Sequence, residues 1–107
     1  MRRSKVLLSG LSPSLRQTVR EALDSRAVEV PETKDATVAL CAASDLSNLR
    51  SLDPALPAIV VSERTNVSEW LDALEAGAAD YCGAPFEPDH LARLLSSNQR
   101  PLAFTAA

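Results

Sequence analysis

Residues 57–86 read PAIVVSERTNVSEWLDALEAGAADYCGAPF, and this stretch decides the fold. Ala58-Ile59-Val60-Val61 is an unbroken β-branched and aliphatic run of strand length, the pattern of a strand covered on both faces. Asn66 with Glu69 three residues later resembles a capping box, with Asn in place of Ser or Thr. The helix that follows carries Val67, Leu71, Leu74 and Ala78 on one stripe, and Gly77 stands where a C′ glycine belongs. Tyr81-Cys82 predicts a brief last strand. Pro88 then opens a helix with Leu91, Leu94 and Leu95 inward.

Upstream the same rhythm continues. Val6-Leu7-Leu8 predicts a first strand ending at Ser9-Gly10. Ser12-Pro13 reads as an N-cap followed by proline at the first helical position, and Leu15, Val19, Ala22 and Leu23 make one apolar helical face. Ala27 to Val30 predicts a short strand, and Thr37 to Ala42 (TVALCA) another covered one. Asp45 is placed to cap a helix carrying Leu46, Leu49 and Leu52, which Pro54 and Pro57 close. Strands alternating with helices predict an α/β domain with a parallel sheet. One join is short: six residues separate Val30 from Thr37, where a parallel crossover usually takes a dozen or more. Either six extended residues span roughly 20 Å and return without a helix, or Ala27–Val30 is not a sheet strand. From Gln99 onward periodicity stops, so residues 1–98 are expected to form the domain and 99–107 a tail or linker.

The composition fits one small soluble domain. The chain has 107 residues, 46% hydrophobic and 23% charged, enough to bury roughly two thirds of its unfolded surface. Eleven basic against 14 acidic residues give a net charge of −3, and aromatics are only 4%. Neither the basic field nor the stacking surface of a nucleic-acid binder is present, so no direct nucleic-acid binding is expected. No apolar run has the length of a membrane span and no signal-peptide core follows the start, which points to the cytoplasm. Cys41 and Cys82 have no CxxC spacing and read as reduced core thiols. His90, the sole histidine, has no local partners for a metal site, so no metal or other cofactor is expected.

Several of these motifs together resemble the second half of a response-regulator receiver domain. They are Pro57-Ala58-Ile59-Val60-Val61-Ser62, fourteen further residues, Gly77-Ala78-Ala79-Asp80-Tyr81, and Ala84-Pro85-Phe86. The first helix, with Pro13, Leu15, Arg16 and Leu23, is similar as well, so the resemblance covers residues 5 to 97. It implies a doubly wound, flavodoxin-like open parallel sheet of about five strands with helices on both faces. The shortfall in length between residues 30 and 37 leaves the second helix missing or shortened.

Receiver chemistry, as the resemblance implies it, moves a phosphoryl group from a histidine kinase to an aspartate. An acidic pair after the first strand helps hold Mg²⁺, an aspartate ending the third strand is the nucleophile, and a lysine before the last proline neutralises the phosphoryl oxygens. Here the acidic pair falls on Gly10 and Leu11, the acceptor on Leu40 or Cys41, and the lysine on Ala84. Every charged element of the pocket is gone. Ser62 and Tyr81 remain at the two switch positions, and Pro85 remains at a position where the family has a cis bond. Asp45 is the nearby candidate for a displaced acceptor, with helix capping as its ordinary role.

These positions give an expectation of function. The chain is expected to be a phosphorylation-independent pseudo-receiver, not an enzyme, serving as a protein-interaction or dimerisation module in bacterial signalling. In receivers the fourth helix, last strand and fifth helix carry partner contacts, which directs attention to residues 67–95 and to Trp70, Leu74, Tyr81 and Arg93. Trp70 lies beside the apolar stripe and either widens a buried face or anchors an interface. Two alternatives stand: a divergent active receiver using Asp45, and a small-molecule site in a neutral crevice lined by Gly10, Leu11, Cys41, Ser62 and Ala84. A covalently linked output domain in a longer protein fits the resemblance too.

Overall fold

A computed structural model of the chain describes residues 4–100. Strand β1 (Ser4–Ser9) leads through Gly10 into α1 (Pro13–Leu23), followed by the short strand β2 (Ala27–Glu29). Strand β3 (Val38–Cys41) precedes α2 (Leu46–Leu52), β4 (Ala58–Ser62) precedes α3 (Val67–Glu75), and β5 (Asp80–Gly83) precedes α4 (Pro88–Ser97). The sheet is wholly parallel in the order β2-β1-β3-β4-β5. This is the doubly wound arrangement expected from the sequence.

Alternation along the strands builds two cores. Val6, Leu8, Leu40, Ile59 and Val61 face one side, where Leu15 and Val19 of α1 and Leu91 and Leu95 of α4 cover them. Leu7, Ala39, Cys41, Ala58 and Val60 face the other side, beneath Leu46 and Leu49 of α2 and Ala73 of α3. Local signals act as read in α1: the Ser12 hydroxyl accepts from the Leu15 amide at 3.2 Å, and Pro13 opens the helix. In α3 the Asn66 side chain accepts from the Glu69 amide at 3.0 Å. Gly77, at φ +102°, closes a Schellman turn: its own amide bonds the Leu74 carbonyl and the Ala78 amide bonds that of Ala73.

The short strand expected after α1 is present at the sheet edge as Ala27–Glu29, and no α-helix stands between it and β3. Five other readings need correction. The return to β3 is not extended but coils through a single 3₁₀ turn at Thr33–Asp35. Asp45 does not cap α2, because a 3₁₀ turn at Ala43–Asp45 runs straight into the helix and holds Asp45 in a helical conformation, with no capping hydrogen bond. Leu52 is exposed, since residues three apart drift about 60° per step around a helix and the third falls off the buried face. The stripe Val67–Leu71–Leu74 is not core: α3 turns Glu69 and Ala73 toward the sheet instead. The domain also does not stop at residue 98, because Gln99 donates to Ser4 Oγ and Arg100 is anchored to Asp53, Thr33, Ala36 and Thr37. The rest of the expected tail, 101–107, lies outside the described residues. No helix among those described is long and apolar enough to cross a membrane.

Candidate functional site

In an open parallel sheet the carboxyl ends of the strands gather the loops that carry chemistry. Here β1 delivers Ser9, Gly10 and Leu11 to that edge, β3 delivers Cys41, β4 delivers Ser62 and Glu63, and β5 delivers Gly83 and Ala84. Gly10 sits at φ +72°, a left-handed conformation that side chains disfavour. A Cβ placed there would lie 2.7 Å from Asp45 Cβ and 3.1 Å from Asp45 Cγ. Asp45 thus fills the space above Gly10, and its carboxylate accepts a hydrogen bond from Ser9 Oγ.

The remaining polar groups are few. Ser12 Oγ donates to Glu63 Oε1 at 3.2 Å, linking the first loop to the one after β4. Leu11, Leu40 and Cys41 are all buried, the first two in the core under α1 and α4 and Cys41 in the core under α2 and α3. Of the five residues expected to line a neutral crevice, Leu11 and Cys41 are thus largely withdrawn into the two cores, while Gly10 is exposed and Ser62 and Ala84 are half-buried. Burial, reinforced by the Asp45 carboxylate, pushes the Cys41 thiol up to about 12, so it stays protonated. Gly10 has no side chain to ligate a cation and Leu11 is turned inward. Among the described residues no cluster of three His, Cys, Asp or Glu could hold a metal. The two lysines, Lys5 and Lys34, sit at the opposite end of the strands, leaving Ala84 without a cationic neighbour of that kind. The Ala84–Pro85 bond is cis.

The second functional region is the face formed by α3, β5 and α4. Helix α3 buries Ala73 (4% exposed) yet leaves Val67 at 62%, Trp70 at 42%, Leu71 at 56% and Leu74 at 41%. Between α3 and α4, along β5, runs a groove of about 580 Å³ lined by Trp70, Tyr81, His90, Arg93 and Leu94. Tyr81 is buried rather than displayed. Its hydroxyl donates to Glu69 Oε1 at 2.8 Å and lies 3.2 Å from the Arg64 carbonyl, which also accepts from Ser62 Oγ at 2.9 Å. Burial raises the tyrosine above its ordinary value. Ser62 and Tyr81 thus converge on one carbonyl and fix the β4–α3 loop. That loop is further held by Gly83, where a Cβ would meet the Thr65 backbone nitrogen at 2.6 Å.

Of the positions singled out from sequence, Trp70, Leu74 and Arg93 are exposed, and Trp70, Tyr81 and Arg93 share the groove. Two features went unread. His90 joins Arg93 and Leu94 in the groove wall, and their spacing of three and four residues was the available signal. The Ser9–Asp45 bond spans the sheet edge and left no mark in the sequence.

The fold is an open, doubly wound parallel α/β domain. No protein-family model matches the chain. Over 92 residues it is 37% identical to the response regulator MprA of Mycolicibacterium vanbaalenii, a match covering 83% of this chain and 40% of that relative. Among solved structures, the receiver domain of a Francisella response regulator superposes with a TM-score of 0.71 at 18% identity, covering 89% of this chain and 95% of that one. The receiver domain of NtrX from Brucella abortus gives 0.70 at 17% identity, with 87% and 96% covered. These two likenesses establish the fold. The sequence match is to a response regulator of which this chain spans less than half the length, and the fold is that of receiver domains.

Proposed function

We propose that this chain is a phosphorylation-independent pseudo-receiver, a non-enzymatic module of cytoplasmic signalling that works by binding a protein partner or a second copy of itself. The observation that carries this reading is the make-up of the strand carboxyl edge: Gly10, Leu11 and Ala84 supply no charge, and Asp45 occupies the space beside them. Phosphoryl transfer relies on cations to stabilise the equatorial oxygens, and neither a metal-binding carboxylate pair nor a lysine stands at these positions. The face of α3, β5 and α4 supports the binding role, because four large apolar side chains on one helix form a patch of the kind that marks interaction sites. Asp80, Glu87 and Arg93 rim the adjoining groove with both signs of charge. The partner reads protein surface, and no nucleic-acid contact is assigned to this domain.

Asp45 favours one second reading. Its carboxylate stands at the strand carboxyl edge, so a divergent acceptor there is the competing account. Intact-mass analysis after incubation with Mg²⁺ and acetyl phosphate separates the two. The pseudo-receiver reading expects no phosphoryl adduct, and an adduct mapped to Asp45 overturns it.

A further inference from the structure

The connection between β2 and β3 crosses over β1 in residues 30–37, too few for a helical crossover. Its 3₁₀ turn at Thr33–Asp35 is closed by only two backbone bonds, from the Asp35 amide to the Glu32 carbonyl at 3.2 Å and from the Ala36 amide to that of Thr33 at 3.1 Å. Further bonds to the connection come from the other end of the chain. Arg100 Nη2 donates to the Thr33 carbonyl at 2.9 Å, and Nε to that of Ala36 at 3.2 Å. The same guanidinium grips Asp53, at the end of α2, through two parallel bonds of 3.0 and 2.8 Å. Its backbone amide donates to the Thr37 carbonyl at 2.9 Å. Both ionic side chains are largely covered, at 20% and 19% exposure.

We propose that Arg100 and Asp53 form a strap that closes the short β2–β3 connection in place of a helix, and that couples this connection to the point where the chain passes residue 100. A planar fork is needed, because one guanidinium must serve a carboxylate and two carbonyls at once, which an ammonium cannot do in the same geometry. The strap lies at the amino-terminal edge of the sheet, away from the Asp45 edge and from the α3–β5–α4 face.

The test is amide hydrogen exchange on the full chain, comparing wild type with Arg100→Gln, Asp53→Asn and the double variant. Exchange at Val30, Asp35, Ala36 and Thr37, whose amides bond within or beside the connection, is expected to quicken by about tenfold in each single variant. The double variant is expected to do no more than Arg100→Gln alone, since that change already removes the Arg100–Asp53 pair along with the carbonyl bonds. Amides of β4 are expected to keep their protection. Arg100→Lys retains the charge without the fork and is expected to recover little. Unchanged exchange at residues 30–37, an equal rise at every amide, or full protection with lysine would each overturn the proposal.

Discussion

Substituting Gly10 by alanine probes how the carboxyl edge is built. The left-handed φ of +72° costs a side chain about 1–2 kcal/mol. The added Cβ would also lie 2.7 Å from Asp45 Cβ, far inside the ordinary carbon–carbon separation of about 3.5–4.0 Å. Asp45 Cβ is fixed to the backbone of the turn entering α2, so relief requires that turn to move. Overpacking of this kind costs about 1–3 kcal/mol, which brings the sum to about 2–5 kcal/mol. In an Asp45→Gly background the obstructing carbon is gone, and only the backbone part, about 1–2 kcal/mol, should remain. Urea unfolding followed by far-UV circular dichroism gives both differences, each measured within its own background. A Gly10→Ala cost below about 0.5 kcal/mol would refute the reasoning, as would equal costs in the two backgrounds. The consequence reaches function, because Gly10→Asp meets the same steric conflict with Asp45, although aspartate takes up the left-handed backbone more readily than alanine. An acidic residue at position 10 therefore requires the turn that carries Asp45 to move.

Other expectations follow from the same geometry. Gly83→Ala places a Cβ 2.6 Å from the Thr65 nitrogen and 2.7 Å from its Cα, so it should destabilise by about 1–3 kcal/mol in urea unfolding. Leu71→Glu with Leu74→Glu should leave stability within about 0.5 kcal/mol per site, since both side chains are exposed, whereas Leu49→Ala should cost about 2–5 kcal/mol. The hydrogen bond from Arg100 holds the Asp53 carboxyl below its ordinary value. A depressed carboxylate stabilises the fold above its unfolded pKa and loses that contribution as pH falls through the folded one. Asp53→Asn should therefore lower stability at pH 7 and flatten the acid limb below about pH 4, as read by thermal unfolding across pH.

Much of this fold was legible because its strands are covered on both faces. Ala58–Val61 and the core of TVALCA could hardly be anything else, and Ser12-Pro13 and Gly77 act through their own backbones, so neighbours could not overrule them. Helix α3 shows the limit. Periodicity identified the stripe Val67–Leu71–Leu74 but not what covers it, and the sheet is met instead by small Ala73 and by Glu69 reaching Tyr81. At the strand carboxyl edge the sequence placed Gly10, Leu11 and Ala84, whose side chains carry no charge. The position of Asp45 was not legible, because a 3₁₀ turn rather than a cap sets its direction. Likewise Arg100 looked like tail, since partners so far away in sequence leave no local pattern.

An amide NMR titration of the domain with Mg²⁺ and then beryllofluoride tests the central claim most directly. The account predicts no saturable shift at residues 9–12, 41–45, 62–64 and 84. A saturable, metal-dependent perturbation centred on Asp45 would contradict it and restore phosphoryl transfer to this edge of the sheet.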